Sequence, residues 1–507
     1  MSLSPSSSTV DGIIRRSAAT FRERVALRFE DREWTYAGLD AAVSRAAAHL
    51  LGLGLTKGDR VAAYGKNSDA YLVGFLACAR AGLVHVPLNY NLTGVELSYL
   101  VSQSGSRAIL VDPGFVGRLD ELDPEVAGRL EHRVVLRDSD DSLVAVASRE
   151  GEDVPVVEVD VADTDLAQFL YTSGTTSRPK AAMMSHKALV HEYLSCIVGL
   201  DLAADDNPLH VMPLYHSAQM HVFLVPWLAV GATNTLLEVP DPAEVLRRIA
   251  EDDHRAFFAA PTLWVALANH PDFETRGLGG LRKAYYGASI MPGPVLARLQ
   301  EKAPGLGFYN CFGQSEVAPL CTVLRPEEHA ERPDSAGRPV LFVEARVVDP
   351  EGNDVPVGES GEIVYRSPQL CDGYWDNEEA TAEAFAGGWF HSGDLVRMDE
   401  EGYVFVVDRI KDVINTGGVL VASREIEDAI YTHPAVAEVA VIGMPDEKWV
   451  EAVSAFVVRK GEVSEDELIA HLRERLAGFK LPKRVVFVED LPRNASGKIL
   501  KRQLRDA

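Results

Sequence analysis

Cysteine is scarce in this chain. Its five residues (Cys78, Cys196, Cys311, Cys321 and Cys371) are odd in number and far apart, and no two form a C-x-x-C pair. That excludes a disulfide framework or a cysteine zinc site as the expected scaffold and suits a reducing compartment. Positive charge is also short: 50 lysines and arginines stand against 75 acidic residues, a formal charge of −25. Nucleic acids and anionic membranes both call for a basic face, so neither is an expected partner; small anionic substrates respond to local charge and stay open. Long apolar runs are missing too. "FLVPWLAVGA" (Phe223 to Ala232) is the longest near the middle of the chain, about half a membrane span, and contains Pro226. The opening "MSLSPSSSTVDG" has neither the basic start nor the apolar core of a secretory signal. No repeat of roughly 20–50 residues is visible. The expectation is a soluble cytoplasmic protein without a membrane span, with a homodimer left open.

What is present points to an α/β protein. At 507 residues the chain exceeds one ordinary core. "RVAAYGKNSDAYLVGFLACARAGLVHVPLN" (Arg60 to Asn89) predicts a strand, a turn, an amphipathic helix and another strand, with Asn67 or Ser68 as cap and Gly82 as stop. "HVMPLYH", "AFFAAPT" and "LRKAYYGAS" predict buried strands, separated by helical stretches such as "DPAEVLRRIAEDD". That alternation favours parallel β/α sheets. From about Gly337 short alternating strands and Gly/Asp turns predict a small antiparallel β subdomain. The texture changes again near Asp408 to Lys411, which divides the chain into a large domain, 1–408, and a small α+β domain, 409–507. The latter ends in a basic stretch from Phe479 onward, either a contact for anions or a solvated surface.

"LYTSGTTSRPKAAM" (Leu170 to Met183) raises the question of a phosphate loop. A Walker A loop needs G-x-x-x-x-G-K-[ST]; here Pro179 replaces the second glycine and Ala181 the hydroxyl after the lysine. The loop nonetheless offers the hydroxyls of Thr172, Ser173, Thr175 and Thr176, backbone N–H groups at Gly174 and the charge of Lys180. Position after a strand-like run favours a phosphate grip over a plain polar turn.

"YTSGTTSRPK" resembles the signature of the adenylate-forming superfamily, which includes acyl-CoA synthetases, firefly luciferase and the adenylation domains of peptide synthetases. Four companions stand in the same order. "YNCFGQSEVAP" is similar to the Y-G-x-T-E motif with Phe312 and Ser315 as replacements, and "GWFHSGDL" to the ribose-binding T-G-D segment with Ser392. "VVDRIKDVINTGG" is similar to the hinge motif, and "LPRNASGKILKRQLR" to the carboxy-terminal P-x-x-x-x-G-K motif. The resemblance is greatest to bacterial fatty-acyl-CoA synthetases. It implies a ligase that activates a carboxylic acid with ATP and Mg²⁺ as acyl-AMP, releasing pyrophosphate, and then passes the acyl group to coenzyme A.

The resemblance assigns Lys498 to the substrate carboxylate and bridging oxygen, Glu316 to the metal and Lys180 to phosphate. Gly313, Gln314 and Ser315 would stand at the α-phosphate. Gly287, Ala288 and Tyr309 would flank adenine, and Asp394 and Arg409 would hold the ribose. Lys411 would be the hinge about which the small mobile domain turns, and Gly417 and Gly418 would face coenzyme A. "PLYHSAQMHVFL" (Pro213 to Leu224) matches the acyl-pocket stretch, with His216 as gate and Met220 and Gly287 as lining; a structural role for His216 is the alternative. Neither this stretch nor "APTLWVAL" holds an Arg or Lys for a second carboxylate, or an Asp or Glu for an amino group. The expected acid is therefore an apolar monocarboxylic acid, medium- or long-chain fatty ahead of benzoate- or cinnamate-type. An acyl-AMP ligase loading a carrier protein is one rival. A non-catalytic adenylate-binding paralogue is another, hinted at only by Ser177 and Ala181 in place of glycines.

Overall fold

The helix Asp69–Ala81 shows how the fold departs from simple patterning. Its sequence predicts one wet face, yet all thirteen residues are buried. Asp69 accepts hydrogen bonds from Arg32 Nε (2.7 Å) and Trp34 Nε1 (2.8 Å), and Arg80 donates to Asp11 (2.7 Å) and Ser44 (2.6 Å). With both charges paired, the helix can be enclosed on every side. Ser68 Oγ caps it at Tyr71 N (3.1 Å), and Gly82, at φ 65°, ends it. Asn67 has a different task. Its side chain bonds Met212 O (3.0 Å), Leu237 O (3.1 Å) and Leu214 N (2.8 Å), tying together segments that belong to two sheets.

The computed structural model describes residues 8–149, 153–172, 178–289, 291–417, 419–446, 449–493 and 499–505. Among these, four sheets organise the chain. A six-stranded sheet runs from His132–Val135 to the hairpin Leu166–Thr172 and Lys180–Ser185; its strands are parallel except for that final antiparallel pair. A nine-stranded sheet has a parallel centre formed by Gly307–Gly313, Lys283–Gly287, Ala256–Ala259, Pro208–His210, Asn234–Leu236 and Val25–Phe29. Antiparallel strands close both of its edges. A four-stranded antiparallel sheet spans Glu344–Val348 to Val404–Arg409. It begins slightly after Gly337, because Arg338–Pro339 still pairs with the large sheet. A five-stranded mixed sheet with helices Ser423–Tyr431 and Glu465–Arg473 makes up the last hundred residues. The change of sheet falls within Ile410–Val413.

Candidate active site

The phosphate-loop segment is a hairpin rather than a strand–loop–helix unit. Thr172 and Lys180 are the last paired residues before its tip. Ser173, Gly174, Thr175 and Thr176 lie outside the described residues. The next helix, His186–Gly199, starts only after the second strand, capped by Ser185. Among the described residues the chain re-enters a strand at Lys180 rather than a helix, unlike the strand–loop–helix order of a Walker A loop.

Parallel register brings the other candidates to one edge. In the nine-stranded sheet the carboxyl ends of Pro208–His210, Lys283–Gly287 and Gly307–Gly313 point the same way. The segments leaving them carry His216, Ala288 and Gln314 to Glu316, and such an edge is where open α/β sheets bind ligands. Two glycines are required by space. A Cβ on Gly287 would sit 2.2 Å from Cys311 O, and one on Gly313 would sit 1.9 Å from Pro319 O. The chain folds sharply after Gly313 into the turn Ser315–Val317 and returns as Leu320–Leu324. Ala288 has φ 65°.

Glu316 is almost fully buried. Tyr374 donates its hydroxyl to Oε1 (3.0 Å), and Glu316 O accepts Cys371 N (2.8 Å). Lys180 Nζ lies 5.1 Å from the centre of the same Tyr374 ring. Burial, reinforced by the Glu316 charge, pushes the Tyr374 phenol far above its ordinary pKa, so it stays a donor. Sequence reasoning missed Tyr374. Nothing local marks it; it arrives because Gly373 to Trp375 forms an extra antiparallel rung on the strand that starts at Lys180. Ser315 in turn is hydrogen-bonded to Ser217 (3.2 Å between hydroxyl oxygens), joining the turn to the acyl segment.

Two assignments need correction. Tyr309 lies at the early end of its strand, four residues before Gly313. Its ring stacks on Tyr285 (4.9 Å between centroids) and its hydroxyl donates to Asp201 (3.0 Å), so it does not reach the edge where Gly287 and Gly313 stand. Half-buried Phe312, adjacent to Gly313, does stand there. Met220 is 0% exposed, inside the π-helix Ala218–Leu224, packed in the core with Leu214 and Leu224 rather than facing a pocket. His216 is half-buried, and its Nδ1 accepts Ala218 N (3.3 Å). His221 belongs to a wholly buried relay from Tyr193 through His221 and Gln168 to His85. Burial lowers both histidines to about 3, so they stay neutral.

Asp394 and Arg409 form a second group. They face each other across neighbouring strands, with Arg409 Nε 2.8 Å from Asp394 Oδ1. Glu362 holds the preceding residue of the strand Phe390–Met398 by accepting Gly393 N (2.8 Å), and Ser392 Oγ accepts Asp394 N (3.0 Å). Lys411 is exposed on the short turn Ile410–Asp412. Asp408 accepts Ser423 N (2.6 Å) and Ser423 Oγ (2.8 Å), capping the helix Ser423–Tyr431 from the far side of that turn. Gly417 has φ 66° and lies against the Trp449 ring. Gly418 and Lys498 lie outside the described residues.

A fold of parallel β/α sheets followed by a small α+β unit, with Lys180 and the buried Glu316 both against Tyr374, defines an adenylate-forming enzyme. The AMP-binding enzyme family matches residues 14–375 and the AMP-binding enzyme C-terminal domain matches 425–498, so the chain belongs to that family. It is similar to a feruloyl-CoA synthase from an Amycolatopsis species, with 39% identity covering 97% of both chains. It is also similar to a long-chain-fatty-acid–CoA ligase of Mycobacterium tuberculosis, 33% identical over 98% of both. Among solved structures, an anthranilate CoA ligase in complex with anthranoyl-AMP superposes with a TM-score of 0.91 at 27% identity, covering 99% of this chain and 98% of that one. The protein is an AMP-forming acid–CoA ligase. No helix among the described residues is long and apolar enough to cross a membrane.

Proposed function

We propose that the acid is a compact aromatic monocarboxylic acid of the cinnamate type, which reverses the order expected from the sequence. The observation that carries this is the 39% identity to a feruloyl-CoA synthase along nearly the whole chain. Packing supports it. On the core side of Pro213 to Leu224, Phe223 is stacked on Phe258 (4.2 Å between centroids) and shares its apolar cluster with Trp227, all three essentially unexposed. A long flexible chain would have to displace these side chains, at a cost of about 1–3 kcal/mol for each overpacked site. The likeness to a long-chain ligase supports fatty acids as the second reading.

In the proposed mechanism the substrate carboxylate attacks the α-phosphorus of ATP, pyrophosphate leaves, and the thiol of coenzyme A displaces AMP from the acyl-adenylate. Joining two anions demands positive charge and orientation from the site. Lys180 and the hairpin hydroxyls hold the departing phosphates, Ser315 the α-phosphate, and Asp394 with Arg409 the ribose. Glu316 fits a site for Mg²⁺: its carboxylate is buried, Tyr374 takes one oxygen, and among the described residues no cationic side chain pairs with it. Held by Glu316, Mg²⁺ would supply positive charge that shields the phosphates during attack. Lys498 stabilises the developing charge in the first step, and rotation of the small domain near Lys411 then exposes the adenylate to coenzyme A along the Gly417–Gly418 face.

The test is pyrophosphate release with ferulate, cinnamate, benzoate, fatty acids from butyrate to stearate, and malonate, each with and without coenzyme A. Ferulate or cinnamate should give the highest kcat/KM. Preference for stearate would overturn the aromatic reading, and preference for malonate the apolar pocket itself.

A further inference from the structure

The helix His186–Gly199 carries a carboxyl that the chemistry above does not use. Glu192 is 0% exposed, and among the described residues no arginine, lysine or histidine forms an ion pair with it. A carboxyl placed so deep without a cation has its pKa pushed well above the usual carboxyl range by burial, and it is unfavourable there unless hydrogen bonds satisfy its oxygens. Here they do. Oε1 accepts Leu320 N (2.9 Å) and Cys196 Sγ (3.2 Å), and Oε2 accepts Gln369 Nε2 (2.6 Å). Gln369, also 0% exposed, donates the same amide to Leu320 O (3.2 Å) and Val317 O (3.4 Å), while its Oε1 accepts Ser195 Oγ (2.6 Å). Only this amide orientation works, because the flipped one would set Oε1 against two carbonyls and a carboxylate.

These partners surround the turn that presents Glu316. Val317 and Leu320 belong to the turn and its return strand, and two residues beyond Gln369 the chain donates Cys371 N to Glu316 O (2.8 Å). We propose that Glu192 is a positioning residue for the Ser315–Glu316 turn: through Leu320 N and Gln369 it sets the depth at which Glu316 meets the cation that accompanies ATP. The inference rests on the reading of Glu316 as the metal-facing carboxylate. A side chain that merely filled space would tolerate glutamine at 192. A positioning carboxyl would not, since glutamine must aim an NH₂ at either the Gln369 amide or Leu320 N–H, a donor facing a donor.

The experiment compares wild type with Glu192→Gln, Ser195→Ala and Glu316→Gln as full-length proteins. It reads acid-dependent ATP–pyrophosphate exchange, thioester formation from supplied acyl-adenylate, and the Mg²⁺ concentration that half-saturates the rise in Tm caused by ATP without acid. Glu192→Gln should lower exchange and raise the Mg²⁺ requirement by about 10- to 100-fold, the range for residues that orient a metal ligand, and leave thioester formation unchanged. Ser195→Ala, which only loosens Gln369, should move both in the same direction by less, and it carries the test if Glu192→Gln does not fold. An unchanged Mg²⁺ requirement in the folded variants, or an equal fall in both half-reactions, overturns the proposal. If Glu316→Gln itself leaves the Mg²⁺ requirement unmoved, the reading of Glu316 falls and takes this one with it; a shift with Glu316→Gln alone sinks only Glu192.

Discussion

Replacing Tyr374 with phenylalanine isolates one hydrogen bond at the centre of the site. The phenol donates to Glu316 Oε1 at 3.0 Å, and both side chains are close to fully buried, at 8% and 9% exposure. Water cannot readily substitute for the lost donor in such a place. A hydrogen bond to a charged group contributes about 1.5–3 kcal/mol, which is roughly 10- to 150-fold in rate if it is fully expressed in the transition state. Phenylalanine keeps the ring, so the Lys180 ammonium retains its position 5.1 Å from the centroid. Leucine removes that contact as well and should cost about 2- to 30-fold more, the equivalent of an attraction of about 0.5–2 kcal/mol. The assay is acid-dependent ATP–pyrophosphate exchange at limiting and saturating Mg²⁺, with thioester formation from synthetic acyl-adenylate as control. Exchange should fall in the order wild type, phenylalanine, leucine, with the control steady. Wild-type exchange in the phenylalanine variant at both Mg²⁺ levels would refute the claim that Tyr374 orients Glu316.

Asp394→Asn should raise the KM for ATP more than that for the acid. It should also destabilise the fold by no more than the lower end of the roughly 3–5 kcal/mol seen when buried pairs are broken, since Arg409 remains partly wet; kinetics and urea unfolding check the two halves. Asp408→Ala removes the cap on the helix Ser423–Tyr431 and should cost about 1 kcal/mol. It should also speed proteolytic cleavage within 410–413, and an unchanged cleavage rate would show that the cap does not restrain the junction. His85 and His221 are neutral in the fold, with pKa lowered from 6.5 to about 3. Because the unfolded chain binds protons there first, stability should fall as pH drops from about 6.5 toward 3, by up to about 1.4 kcal/mol per pH unit for each histidine. Urea unfolding from pH 7 to 4, with NMR titration of the 14 histidines, measures it; if all of them titrate near 6.5, the buried relay is wrongly described.

The parts of the protein legible in its sequence were those written in contiguous residues. Apolar runs between turn signals marked the parallel strands, and Asn67 or Ser68 with Gly82 marked both ends of a helix. Patterning failed where burial was complete. The helix Asp69–Ala81 reads as amphipathic because it carries charges, and only the distant Arg32, Asp11 and Ser44 reveal that those charges are enclosed. Tyr309 and Met220 were misplaced for a related reason. Proximity in sequence to Gly313 and His216 does not say which end of a strand, or which face of a π-helix, a side chain occupies.

By itself the sequence determined the α/β class, from local alternation, and the order of the motifs, whose resemblance to a known family implied the residues proposed to hold an adenylate. The tertiary structure decided which of these meet. Thr172 comes opposite Lys180 through hairpin register, and Glu316 comes under Tyr374 because a segment nearly sixty residues later pairs with the Lys180 strand. Glu192 acquires partners from residues 320 and 369 that no local pattern connects to it. Hydrogen bonds and close packing act at a few ångströms whatever the separation along the chain, so a site assembled from them becomes visible only once the chain has folded.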